Sequence, residues 1–238
     1  MFDHVTIRVT DREASDRFYD TVLPVLGKRR FDDGSYSEWG DLSLVPDDKP
    51  PAERLHIAFY APTRELVDEF HRAGVDAGFK SDGGPGPRDY TPEYYGAFLL
   101  DPDGNSVEAV SLEDEREPGQ LDHLWLRTTN LDAVSAFYET IAPVIGFEVD
   151  RRSAEHVHIH NATGSFSFIA GEPPTRNVHL AFGVPTNDAV DAFHATATQA
   201  GYEDNGAPGE RPVYHPGYYG AFVLDPDGHN IEAVNHNR

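Results

Sequence analysis

The chain has 238 residues, 39% hydrophobic and 25% charged, with no cysteine. That suffices for one large or two small domains and excludes disulfides, thiolate metal sites and a cysteine nucleophile. Acidic residues outnumber basic ones 41 to 19, giving a net charge of −22, so nucleic acid and anionic membranes are not expected as partners. No run of about 18 apolar residues is present, and MFDHVTIRVT reads as a strand, not a secretion signal; a cytoplasmic location is expected.

In chain order, FDHVTIRV (2–9) alternates as a strand and leads into an amphipathic helix with Phe18, Tyr19, Val22, Leu23 and Leu26 on one face. Short strands are expected around 28–45. LHIAFYA (55–61) is a second strand, followed by a helix that Thr63 caps and whose Leu66, Val67 and Phe70 face inward. GGPGPR (83–88) reads as a loop, since proline removes the N–H groups a phosphate cradle would need. YGAFLLDPDGNSVEAV (95–110) is a hairpin turning at Asp-Pro-Asp-Gly.

The pattern then repeats. Thirteen of seventeen residues are identical between 94–110 and 218–234, FDHVTIRV matches LDHLWLRT (121–128), and the strand and helix at 54–71 match 178–194. Between the copies lies SLEDEREPGQ, charged and ending in Pro-Gly. The expected organisation is an N-terminal domain 1–112, a linker 113–120 and a C-terminal domain 121–238. Each half divides into two βαβββ modules, an α+β architecture of four modules.

Strand periodicity sorts the polar residues. His4 opposes Val5, Ile7 and Val9; His56 opposes Leu55, Ile57 and Phe59; Glu108 opposes Val107 and Ala109. His123, His179 and Glu232 repeat these positions in the second half. Two imidazoles and a carboxylate on the uncovered face of a curved sheet would form a two-His-one-carboxylate site for a divalent ion.

The βαβββ pairs, the DH of the first strands, HIAF and HLAF, and DPDGNSVEAV and DPDGHNIEAV resemble the vicinal oxygen chelate superfamily over essentially the whole chain. That superfamily includes glyoxalase I, extradiol dioxygenases and bleomycin-binding proteins. The resemblance implies two tandem domains with cupped mixed sheets and the six residues His4, His56, Glu108, His123, His179 and Glu232 as metal ligands. They group either within each half, or as His4 with His179 and Glu232 and His123 with His56 and Glu108. It implies Fe2+ first, with Zn2+, Mn2+ or Ni2+ as alternatives. Glyoxalase I-like sites use a further glutamate late in the first module; DLSLVP (41–46) and SFSFIAG (165–171) offer leucine or serine there, which favours dioxygenase-like over glyoxalase chemistry. The alternative is a metal-free protein that sequesters a small molecule such as an antibiotic. A small-molecule substrate and a monomer (pseudo-dimer) or homodimer are expected.

Near the second hairpin, His215 has no counterpart in the first half and is the leading acid–base candidate, with Tyr219 and Tyr95 as oxyanion donors. His156, His158 and His160 share a strand face, a spacing that could bind metal or turn one wall of the cup basic at low pH; a solvated edge strand is the expected reading. His71 and His194 occupy equivalent helix positions as packing or surface residues, and His229, in the DPDG turn, is expected to be exposed.

Overall fold

The computed structural model describes residues 1–32, 34–46, 49–112 and 119–238. The first half carries β1 (His4–Val9), α1 (Arg12–Val22) with a 3-10 turn at Leu23–Leu26, β2 (Phe31–Asp32), β3 (Ser37–Trp39) and β4 (Leu42–Pro46). It continues with β5 (His56–Tyr60), α2 (Arg64–Asp76), β6 (Lys80–Pro87), β7 (Tyr95–Leu100) and β8 (Ser106–Ser111). The second half repeats the series: β9 (Leu121–Thr128), α3 (Leu131–Ile145), β10 (Glu148–Ser153), β11 (His156–Asn161), β12 (Gly164–Ala170), β13 (His179–Gly183), α4 (Asn187–Gln199), β14 (Asp204–Glu210), β15 (Tyr219–Leu224) and β16 (Asn230–Asn235). Four βαβββ modules are thus present. Residues 113–118 of the expected linker lie outside the described residues.

Local chemistry sets the helix starts. The side chains of Asp11, Thr63, Asn130 and Thr186 each accept a hydrogen bond from the backbone N–H three residues on, satisfying donors that a helix N-terminus leaves free.

The chain forms two compact units, Thr6–Trp125 and Met1–Val5 with Leu126–Arg238. In the first, strands run in the order β9–β5–β8–β7–β6; β5 lies parallel to β8 and antiparallel to the start of β9. In the second, the start of β1 lies beside β13 in the order β1–β13–β16–β15–β14, with β13 parallel to β16. The core of the first unit is built on Phe18, Tyr19, Trp39, Phe59 and Phe70, and that of the second on Phe137, Tyr138, Phe166, Phe168 and Phe182, all fully buried.

The DPDG turns are tied to the first helix of a module. Asp101 Oδ1 accepts from the N–H groups of Asp103 and Asn105 while the Tyr19 hydroxyl donates to Oδ2 at 3.2 Å. Asp225 makes the same bonds with Asp227, His229 and Tyr138. Burial pushes the Asp225 carboxyl up to about 7. Gly104 and Gly228 hold φ of +85° and +82°, a left-handed conformation that favours glycine.

Three expectations are corrected. GGPGPR is not a loop: residues 80–87 form β6, among the described residues an edge strand paired only to β7 with two register shifts, where prolines are tolerated. β11 is not an edge strand, because β10 and β12 pair with it on either side. His229 is not exposed. It is fully buried, Nδ1 accepts from the Val178 N–H at 3.3 Å, and Nε2 has no hydrogen-bond partner among the described residues.

Burial lowers the His229 imidazole from 6.5 to about 4. A depressed histidine contributes stability that is present above the unfolded value and lost as pH falls through the folded one. Denaturant titrations of the wild type and of His229→Asn, the residue at the matching position 105, isolate this, since the opposing contribution of Asp225 is common to both. The wild type is expected to lose about 3 kcal/mol relative to the variant between pH 6.5 and 4.

Candidate metal centre

The register of the central strands brings the predicted residues together. In the first unit Ala58 on β5 pairs with Glu108 on β8 on one side and with His123 on β9 on the other. His56 stands two residues from Ala58, hence on the same face. In the second unit Ala181 pairs with Glu232, and its carbonyl accepts from the Asp3 N–H next to His4. The alanines matter because a larger side chain would stand between the three groups. Ala58 packs with Tyr94 and Val110, and Ala181 with Tyr218 and Val234.

The six residues therefore form His56, Glu108 and His123 in one unit and His4, His179 and Glu232 in the other. Of the two groupings open from sequence, the structure has the one in which each first-strand histidine joins the histidine and glutamate of the other half. In the first cluster His56 Nε2 lies 2.9 Å from Glu108 Oε2 and 3.3 Å from His123 Nε2, and His123 Nε2 lies 3.6 Å from Oε2. In the second, His179 Nε2 is 3.1 Å from Glu232 Oε2 and 3.2 Å from His4 Nε2, with His4 Nε2 3.8 Å from Oε2. Ligand atoms held about 2.1 Å from one ion at right angles lie about 3.0 Å apart. Both clusters fit a divalent ion bound on one face.

Neighbouring groups set the proton positions. His4 Nδ1 donates to Asp3 Oδ1 at 2.9 Å, and His123 Nδ1 to Asp122 Oδ1 at 2.6 Å. The Nε2 lone pairs are thereby aimed at the centre, the orientation a metal-binding histidine requires. Facing them is a carboxylate oxygen, so only a proton on the third imidazole or a cation can stand between them. Burial, followed by the neighbouring histidine, lowers His56 and His179 below the usual imidazole value despite their glutamates, which keeps both neutral and able to coordinate at neutral pH.

Each glutamate is buried, 0% exposed for Glu108 and 1% for Glu232. Its second oxygen accepts from a tyrosine hydroxyl, Tyr94 at 2.8 Å and Tyr218 at 2.6 Å. Burial and the adjacent carboxylate raise both tyrosines, so they remain donors. A Cβ at Gly220 would lie 2.6 Å from Glu232 Oε1, and one at Gly96 would collide with Glu108 Oε1. Only glycine admits the carboxylate there.

The catalytic candidates fall elsewhere. The hydroxyls of Tyr95 and Tyr219 donate to Asp68 and Asp191 on α2 and α4, on the face opposite the clusters. Tyr94 and Tyr218 are the tyrosines that reach the glutamates. Strand parity carried that signal: Tyr95 shares a face with Ala97 and Leu99, whereas Tyr94 shares one with Gly96. His215 lies beside Tyr218, with ring centroids 5.3 Å apart, and bonds His236. The DH dipeptide, present in both first strands, was the unused signal for Asp3 and Asp122.

The sequence profile of the glyoxalase/bleomycin resistance protein/dioxygenase superfamily matches residues 1–109 and 120–233. The chain belongs to this superfamily, as two tandem domains. Among solved structures, glyoxalase I from Zea mays is similar with 19% identity and a TM-score of 0.69, over 99% of this chain and 92% of that one. A putative dioxygenase from Bacillus subtilis is similar with 14% identity and a TM-score of 0.69, over 100% of this chain and 85% of that one. At these identities the likeness is one of fold. No curated protein matches the chain. No helix among the described residues is long and apolar enough to cross a membrane.

Replacing Tyr218 by phenylalanine strands one oxygen of a buried carboxylate. Urea denaturation of metal-free Tyr218→Phe is expected to show a loss of about 1–3 kcal/mol, against less than about 0.5 kcal/mol for the exposed Tyr214→Phe.

Proposed function

We propose that the protein is a divalent-metal-dependent enzyme acting on a small organic substrate, with dioxygenase-like chemistry ahead of glyoxalase or lyase chemistry. The observation that carries this is the convergence of two imidazole nitrogens and a carboxylate oxygen within 2.9–3.8 Å of one another in each unit. Among the described residues neither group contains a second carboxylate, so a three-ligand ion would keep positions free for substrate and oxygen. That ligand set suits Fe2+ first, with Zn2+, Mn2+ or Ni2+ as alternatives. When bound, the ion would supply Lewis acidity toward vicinal oxygen atoms.

The chain's own groups would do the rest. The histidines and the glutamate hold the ligand geometry, Asp3 and Asp122 fix the proton positions, and Tyr94 and Tyr218 anchor the carboxylates. Metal-free sequestration of a small molecule is disfavoured by the complete ligand set in both units, since nothing in that role needs it.

Metal analysis after anaerobic Fe(II) reconstitution tests the reading. Two equivalents are expected in the wild type and one each in Glu108→Ala and Glu232→Ala; a wild type that stays metal-free would overturn it. Oxygen uptake with a panel of catechols then separates the dioxygenase branch: uptake that vanishes in the double variant supports it. Metal-loaded protein inert toward every catechol points to lyase or isomerase chemistry.

A further inference from the structure

The three histidines of β11 belong to neither centre. His156, His158 and His160 alternate and so share one face, while Val157 and Ile159 between them are buried on the other. Strand register extends the polar face to both neighbours. On β10, Asp150 lies opposite His158 and Glu148 opposite His160; on β12, Ser167 and Ser165 lie opposite the same two. All of these residues fall in the Met1–Val5, Leu126–Arg238 unit. The matching stretch of the first half, residues 28–46, contains no histidine.

The spacing on this face repeats that of the two centres. His160 Nε2 lies 3.2 Å from Asp150 Oδ2, as His56 and His179 lie 2.9 and 3.1 Å from their glutamates. The rings of His158 and His160 are 5.0 Å apart, against 5.1 and 5.3 Å for the imidazole pairs of the centres.

The third group is oriented from outside. His158 Nδ1 lies 3.2 Å from Ser167 Oγ, which is also 3.0 Å from His156 Nε2. A hydroxyl donates one hydrogen bond and accepts others, so Ser167 serves both rings. With Nδ1 engaged, the nitrogen that His158 offers is Nε2, at the tip of the ring. An outer hydrogen bond of this kind is what aims a metal-binding imidazole. His156, whose own Nε2 is turned to the serine, supports this arrangement and is not a ligand.

Unlike the buried glutamates, this face is open: the side chains of His160 and Asp150 are 29% and 46% exposed. The three groups are not drawn as tightly together as in the centres, and rotation of part-exposed side chains, a matter of nanoseconds, closes the set on an ion. Arg152 Nη2 lies 3.1 Å from Asp150 Oδ2, so an ion at that oxygen displaces a guanidinium. A solvated pair of this sort contributes little and yields readily.

We propose that His158, His160 and Asp150 form a further metal site, open and exchangeable, for divalent ions that prefer imidazole: Cu2+ first, then Ni2+ and Zn2+. Fe2+ stands below all three in that order, and Mg2+ and Ca2+ take oxygen ligands instead. The site shares no residue with the two centres and stands whether or not they hold metal.

Zn2+ titration followed by nitrogen NMR of the histidine side chains tests it, at pH 7.5, where a free imidazole is about nine-tenths neutral. The Nε2 resonances of His158 and His160 are expected to shift on saturation. In His160→Asn the affinity read from His158 should fall at least about 10-fold, since even an outer contact is worth about 10–100-fold. Arg152→Gln removes the competing guanidinium and should tighten binding, by up to about fivefold, the worth of a surface ion pair. Resonances of His158 and His160 that stay put in excess Zn2+ would overturn the proposal, as would unchanged affinity in His160→Asn. Shifts confined to His158 and His160 would support this site while the proposed function fails; shifts confined to His4, His56, His123 and His179 would do the reverse.

Discussion

A carboxylate held at 0–1% exposure is costly unless every lone pair has a partner, and each half of this protein is arranged around meeting that demand. One oxygen of Glu108 or Glu232 takes a tyrosine hydroxyl; the other faces two imidazoles. The tyrosine can reach because the residue two places along its strand is a glycine. The imidazoles can reach because the residue paired with the glutamate is an alanine. Further out, the DPDG turn that sends the glutamate strand back is fastened to a helix tyrosine. Small residues at the centre and polar anchors at the rim thus follow from one electrostatic requirement.

Duplication met that requirement twice and then diverged around it. The clustered histidines and glutamate, the tyrosines, glycines and alanines are the same in both units. The histidines at 215 and 236 are not, nor is His229, whose place Asn105 takes with bonds to the Leu55 N–H and the Ala52 carbonyl. The demand of the buried carboxylate for partners explains what was kept. What changed are residues around the clusters: Thr91 and Leu112 stand where His215 and His236 do, and Asn105 where His229 does.

Much of this was legible in the chain. Period-two alternation put His4, His56, Glu108 and their repeats on the uncovered face, because a strand's side chains alternate whatever it pairs with. The internal repeat gave the four modules, and side-chain oxygens ahead of apolar periodicity gave the helix starts. Parity even contained the choice of Tyr94 over Tyr95, had the glycine two residues on been weighed as room for a carboxylate. The edge-strand expectation for β11 failed for a different cause: polarity on one face of a strand says nothing about how many neighbours it has.

Which histidine meets which glutamate was settled only in three dimensions. Both groupings use the same six residues with the same alternation, so no spacing along the chain distinguishes them; the choice lies in β5 accepting the start of β9, and β13 the start of β1, as neighbours. The His215–His236–Asp3 chain is equally invisible in sequence, since its members lie up to 233 residues apart. The chain by itself determined the kinds of groups available and the faces they occupy, because those are local properties of strands and turns. Tertiary structure decided their partners and their protons, because both depend on contacts between distant segments.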